Sequence, residues 1–342
     1  MNFITLTNSN GLSARFTPYG ARWAGMIIPD KVGFYNDVIL GFDTLSGYKD
    51  AGEQYHGSIV GRVCGRIGHA HFDLDGQRYE LAQNDVYGQP ERNHLHGGIH
   101  AFHNRMWDAE KRTNEAGEES VIFSTFSADG EEGYPGNLKC EVTYTLTNDN
   151  QLTMRCEAWA DRKTPVNLTN HAFFNLNPGV EKDVLNHNLQ IHASSIIECD
   201  SELLPTGKLW NVEESCLDFR QGRKLAESLR TNRFDIEKNQ GFSLAFALDS
   251  DEELKEVAVL SDEASGRKVT ILSNQPSVQV YTGYFMDGSD IGKDGIAYGR
   301  SAGVAIETQG FPDAVSHSEF PSIYIDSEHP YLHFTTFKFG LL

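Results

Sequence analysis

The sequence predicts an all-β protein folded as one large sandwich of mostly antiparallel strands, and three observations predict it. Short segments of alternating polarity recur along the 342 residues, among them "HAHFDLDGQRYEL" (69–81), "ESVIFSTFSADG" (119–130), "LKCEVTYTLTNDNQLTMRCEAWA" (138–160) and "RKVTILSNQPSVQVYTG" (267–283). Period-two alternation bounded by Gly, Asn and Asp reads as half-buried antiparallel strands. Helical patterning is confined to a few short stretches, and no fixed-period repeat, low-complexity tract or Pro/Ser/Gly-rich linker divides the chain. Residues 1–342 are therefore read as a single domain, a length that all-β architectures reach as one unit.

Taken in order, the first helical candidate is "TLSGYKD" (44–50). In "FDLDGQRYEL" the Asp75-Gly76 pair between two alternating runs predicts a tight hairpin, because both residues tolerate positive φ. "LTNDNQL" repeats that logic between 139–147 and 151–160. "GRKLAESLRTN" (222–232) has the caps and spacing of a second helix.

The net charge is −19, from 29 Lys+Arg and 48 Asp+Glu. That field opposes phosphate backbones and anionic membranes, so neither nucleic acid nor a membrane is an expected partner. The five cysteines, Cys64, Cys140, Cys156, Cys199 and Cys216, are odd in number and form no Cys-x-x-Cys pair. A reduced, cytoplasmic protein is the expectation. The opening "MNFITLTNSNGLSARF" has no basic segment ahead of a sustained apolar run, so no secretory signal is expected. No apolar run has the roughly 18 residues of a membrane span. The composition is compatible with a monomer or a homodimer.

The stretch "NHLHGGIHAFH" (93–103) gathers His94, His96, His100 and His103. His94-x-His96 on an extended segment would share a face, but Gly97-Gly98 turns the chain immediately afterwards. No His-Glu-x-x-His, cysteine pair or acidic cluster completes a ligand set, so no metal is expected. Surface histidines with one or two in a pocket is the simpler reading.

"TPVNLTNHAFFNLNP" (164–178) interrupts an apolar run with Asn167, Thr169, Asn170, His171 and Asn175. Buried polar groups cost about 1–3 kcal/mol each if unpaired, so the mixture means a polar pocket or a rich internal hydrogen-bond network. His171 fits either. In "GVAIETQGFPDA" (303–314) Glu307 follows an apolar run, and either projects into a cleft with its protonation set by burial or faces water at a strand end. Gln279, between valines in "SVQVYTGYFMDG" (277–288), is a ligand contact or an edge-facing polar residue. "GRVCGRIG" has the wrong glycine spacing for a dinucleotide site, and no P-loop or Gly-x-Ser-x-Gly elbow is present.

In order, "YGARW", "DVILGFDTLSGY", "GRVCGRIGHAHFDLDGQRYEL", "NHLHGG", "TPVNLTNHAFFNLNP", "VQVYTGYFMDG", "AIETQGFPDA" and "EFPSIYI…HFTTFKF" resemble the blocks of the aldose 1-epimerases, the galactose mutarotase family. The resemblance spans essentially the whole chain. It implies a single-domain β-supersandwich and a cofactor-free interconversion of the α and β anomers of a free hexose through the open-chain aldehyde. By motif, Glu307 in "ETQ" looks like the general base at the C1 hydroxyl and His171 in "LTNH" like the general acid at the ring oxygen. His96 in "HLHGG" and Arg66 in "GRVCGRI" would hold sugar oxygens, and Gln279 would line the pocket.

Opening a hemiacetal removes a proton from one oxygen and gives one to the other, so a carboxylate and an imidazolium on opposite sides of C1 suffice, each transfer contributing about 10²–10⁴-fold. A permanently charged, donor-rich Arg66 suits negative charge building on oxygen.

The chain departs from the family pattern twice. Gly65 stands where an Asn is usual, and Gly241-Phe242-Ser243-Leu244 stands where the family carries a sugar-binding aspartate, so Ser243 offers a neutral hydroxyl in its place. That loss is the one feature favouring an alternative, a carbohydrate-binding or sensing protein with little turnover. Retention of both Glu307 and His171 argues against it. A glycoside hydrolase would need a second carboxylate, for which Asp313 is the sequence's candidate.

Overall fold

In the computed structural model, which describes residues 3–87, 92–179 and 182–342, the alternating segments pair as antiparallel strands. Leu138–Leu146 and Gln151–Ala160 form the longest hairpin, with Leu146 opposite Leu152, Tyr144 opposite Met154 and Val142 opposite Cys156. All six side chains are buried. The tight hairpin joins His71–Leu74 to Gln77–Glu80, and Asp75 and Gly76 both take the positive φ its turn demands.

Nine strands join in the order Asp108–Thr113, Glu119–Ser127, Leu138–Leu146, Gln151–Ala160, Tyr331–Leu341, Arg267–Ser273, Lys255–Ser261, Asn188–Ile191 and Arg223–Lys224. A six-stranded sheet runs Phe173–Phe174, Val304–Gln309, Ser277–Tyr281, Ser243–Ala247, Ser195–Cys199 and Pro205–Asn211. A four-stranded sheet, Ile4–Thr7 to Tyr35–Asp37, completes the main layers. They meet at Trp23, whose ring lies 5.6 Å from Phe174 and 5.0 Å from Phe337. The architecture is the mostly antiparallel, all-β one expected.

The helix Leu45–Asp50 forms as predicted, with the Thr44 hydroxyl accepting a hydrogen bond from the Gly47 N–H at its N-cap. The helix expected over 222–232 is only Leu225–Ser228. Arg223 and Lys224 pair instead with Leu189 and Asn188 as an edge strand, and no side chain caps the helix. A further short helix, Ile236–Asn239, was not anticipated.

Candidate active site

Strand periodicity sorts the six-stranded sheet into a core face and a cleft face. Val278, Val280, Val304, Ile306 and Phe246 enter the main core. Gln279, Tyr281, Glu307, Gln309, Ser243 and Ala245 line a cleft of about 810 Å³ including its open mouth. Gln279 lies directly opposite Glu307, and Ala245 opposite Gln279, so these side chains rise from one patch of sheet. Glu307 is thus not a strand-end residue facing water; the whole strand Val304–Gln309 is buried.

His171 reaches the same floor from the other side. Its backbone N–H donates to the Ser58 carbonyl at 2.9 Å, and its carbonyl accepts from Gly57 at 2.8 Å. Asn170 secures this placement, donating to the Gly57 carbonyl at 2.7 Å and to the Tyr144 hydroxyl at 3.0 Å. Asn167 likewise pairs with both N–H and C=O of Gly310, and Asn175 donates to Ala302. The asparagines of 164–178 therefore build an internal network, and His171 is the member that faces the cleft.

His171 Nε2 lies 3.5 Å from Glu307 Oε1, with side chains 4% and 3% exposed. Glu307 Oε2 and His171 Nδ1 have no partner. Burial pushes the Glu307 carboxyl well above the usual carboxylate range, and the neighbouring Glu53 adds to it. Burial lowers His171 to about 4. Sequence chemistry expects a carboxylate and an imidazolium about C1; the cleft floor brings the two groups side by side and disfavours both charges, because both side chains are buried.

Arg66 donates through Nε to Asp85 Oδ2 at 2.6 Å, and through Nη2 to Oδ1 at 3.4 Å. His96 has φ +52 and its Nδ1 accepts from the Gly65 N–H at 3.2 Å. That bond fixes the proton of the neutral ring on Nε2, which leaves a donor for a ligand. Ser243 Oγ accepts from Gln279 Nε2 at 2.9 Å, so the two form one polar unit on the wall. All six residues singled out in the sequence, Arg66, His96, His171, Ser243, Gln279 and Glu307, line the one cleft.

The other histidines separate. His94 is buried between the Ala82 carbonyl and the Tyr134 hydroxyl, 2.8 Å from each, and does not line the cleft. His103 is buried, with its ring 4.8 Å from that of Tyr55 and its carbonyl accepting from Arg22 at 2.9 Å. His100 is exposed. Among the described residues no three His, Cys, Asp or Glu side chains converge as a metal-ligand set. Asp313 accepts from Gly68 N–H and Ser316 Oγ and does not line the cleft, which removes it as a second carboxylate. Sequence reading missed Glu53, Tyr55 and Tyr87 on the walls and Asp85 behind Arg66; none sits in a pattern that signals a site.

The aldose 1-epimerase family profile matches residues 2–338. The chain belongs to the aldose 1-epimerase family. It is 38% identical over 333 residues to a galactose mutarotase of Rattus norvegicus, covering 97% of this chain and 92% of that protein. Identity to a galactose mutarotase of Homo sapiens is 38% over 323 residues, covering 94% and 90%. A crystal structure of an aldose epimerase homologue from C. elegans superposes with a TM-score of 0.90 at 30% identity, covering 100% of this chain and 99% of that one. The epimerase is an isomerase that interconverts sugar anomers. Among its described residues no helix is long and apolar enough to cross a membrane.

Proposed function

We propose that Glu307 and His171 are the base and acid of anomer interconversion on a free aldohexose of the galactose or glucose kind. The observation that carries this reading is the 3.5 Å contact between Glu307 Oε1 and His171 Nε2 on the buried cleft floor. Both hemiacetal oxygens are borne by C1, so adjacent acid and base groups reach both at once. Glu307 takes the proton from the C1 hydroxyl as His171 gives one to the ring oxygen. The charged pair thereby becomes a neutral one, the state that burial favours, so the cleft stabilises the pair that accompanies the open-chain aldehyde. Rotation about C1–C2 and reversal of the two transfers close the ring as the other anomer. This chemistry requires no cofactor.

Arg66, His96, Gln279 and Ser243 hold the sugar hydroxyls. The galactose mutarotase names of the relatives support galactose as substrate. Lining residues drawn from Glu53 to Pro312 support the reading of 1–342 as one domain. Five unpaired cysteines support a reducing, cytoplasmic setting.

Polarimetry on freshly dissolved α-D-galactose and α-D-glucose, corrected for spontaneous mutarotation, tests the assignment. Acceleration by the wild type that falls by at least about 10²-fold in Glu307→Gln is expected. Normal turnover in that variant would remove Glu307 from the chemistry.

A further inference from the structure

The cleft contains a second buried carboxyl that the acid/base scheme does not use. Glu53 is 8% exposed and lines both the cleft and the depression beside it. Its Oε1 accepts from the Tyr55 N–H at 3.2 Å. Its loop is held from two directions: Asp290 accepts from the N–H groups of Gly52 and Glu53 at 2.7 and 3.0 Å, and Arg22 donates to the carbonyls of Gln54 and His56, each at 2.8 Å. The backbone that carries the carboxyl is thereby fixed at the cleft wall. Two positions on, the Tyr55 ring packs 4.4 Å from His96 and 5.6 Å from His171.

We propose that Glu53 is a positioning residue of the reaction, a second carboxyl in the same cleft that acts through Glu307 by governing when Glu307 can carry charge. The inference rests on Glu307 being the base. Two buried carboxyls lining one cleft cannot both ionise cheaply, and they titrate as a pair. Glu53 has what Glu307 lacks, a backbone N–H on its carboxylate and the Arg22 guanidinium nearby, with Asp290 opposing. Burial still pushes it up to about 7. Glu307 faces His171, Cys64 and the Glu53 charge, which raises it further. Tyr55, Tyr87 and Tyr281 stay protonated beside Glu53, their hydroxyls pushed up by burial. The first proton to leave is thus that of Glu53, and its departure makes the second, on the base, harder to remove.

Glu53→Gln keeps an oxygen for the Tyr55 N–H and removes the charge. With the opposing charge gone, Glu307 ionises at lower pH, so the acid limb of kcat/KM moves to lower pH and activity on that limb rises severalfold over wild type. Should Glu53→Gln fail to fold, Glu53→Asp, which withdraws the charge by one methylene, gives a smaller shift in the same direction. Profiles that superimpose after scaling in the folded variants would overturn the role and leave Glu53 a structural loop residue. Wild-type turnover and its loss in Glu307→Gln are measured in parallel. If Glu307→Gln stays active, the base assignment has failed; if it is dead and the Glu53 profiles are unmoved, only the role of Glu53 has.

Discussion

At the scale of single residues, the cleft distinguishes side chains proposed to meet the sugar from those that hold them in place. Asp85 is fully buried, accepts from Arg66 through both oxygens and also accepts from the Tyr87 N–H at 3.0 Å. It fixes the guanidinium plane and leaves the remaining N–H groups for a sugar oxygen. Asp85→Ala is expected to raise KM about tenfold with a smaller change in kcat, because the arginine remains but its aim is lost. Initial rates over a range of galactose concentrations separate the two effects; an equal fall in kcat with unchanged KM would mean that Arg66 acts only in the transition state. Of the proposed site residues, three were legible because each breaks a local pattern: Glu307 and Gln279 interrupt valine- and isoleucine-rich strands, and His171 interrupts an apolar run, whereas Arg66, His96 and Ser243 came from the family resemblance. Asp85 and Glu53 break no pattern. Arg66 and Asp85 meet only because Arg66–Ile67 pairs with His94–Leu95 and draws the intervening segment back, which no spacing rule encodes.

At the scale of elements, local chemistry was legible where the backbone answers only to its neighbours. The Asp75-Gly76 turn and the helix within 44–50 form as read, the latter capped by Thr44, because turn and cap energies involve a few adjacent residues. The 222–232 helix was shortened by a distant partner, Asn188–Leu189, whose pairing claims the first residues of the pattern. The His-x-His segment failed for a similar reason. His96 takes positive φ, so it does not continue the His94–Leu95 strand, and the following Gly97 (φ +85) presses against the Gly61 carbonyl. A β-carbon there would overlap that carbonyl, and its left-handed backbone is itself costly for other residues. Gly97→Ala is therefore expected to destabilise the protein by about 2 kcal/mol or more and to displace His96 from the cleft. Urea denaturation reads the first effect and a raised KM the second. A variant with wild-type stability would show that the turn can move away from Gly61 at little cost.

At the scale of the whole molecule, building a polar site into a sandwich this well buried leaves many titratable groups uncharged, and their sum sets how stability responds to acid. His94, His171, His187 and His333 are lowered to about 4 and His103 to about 3, with burial the leading cause in each. His56 and His96 are held well below their ordinary value by the same desolvation. As pH falls through about 6.5, the unfolded chain protonates these histidines while the folded one does not, so each removes up to about 1.4 kcal/mol of stability per pH unit until its folded value is reached. Glu53, Glu307 and Asp313 act in the opposite sense: burial raises all three, so the folded state binds their protons first and gains stability as pH falls toward the ordinary carboxylate range. Seven histidines outweigh three carboxyls, so the protein is expected to lose stability steeply from pH 6.5 toward pH 5, before its surface carboxylates titrate. The urea midpoint measured at half-unit steps from pH 7.5 to 4.5 tests this. A midpoint that stays flat to pH 5 would mean that water reaches these histidines and lets them charge in place, which would in turn weaken the account of a cleft that drives Glu307 and His171 toward their neutral forms. In that event Glu53→Gln, which removes one of the compensating carboxyls, should leave the midpoint at pH 5.5 unchanged; if burial is as complete as the geometry indicates, the same substitution deepens the acid loss.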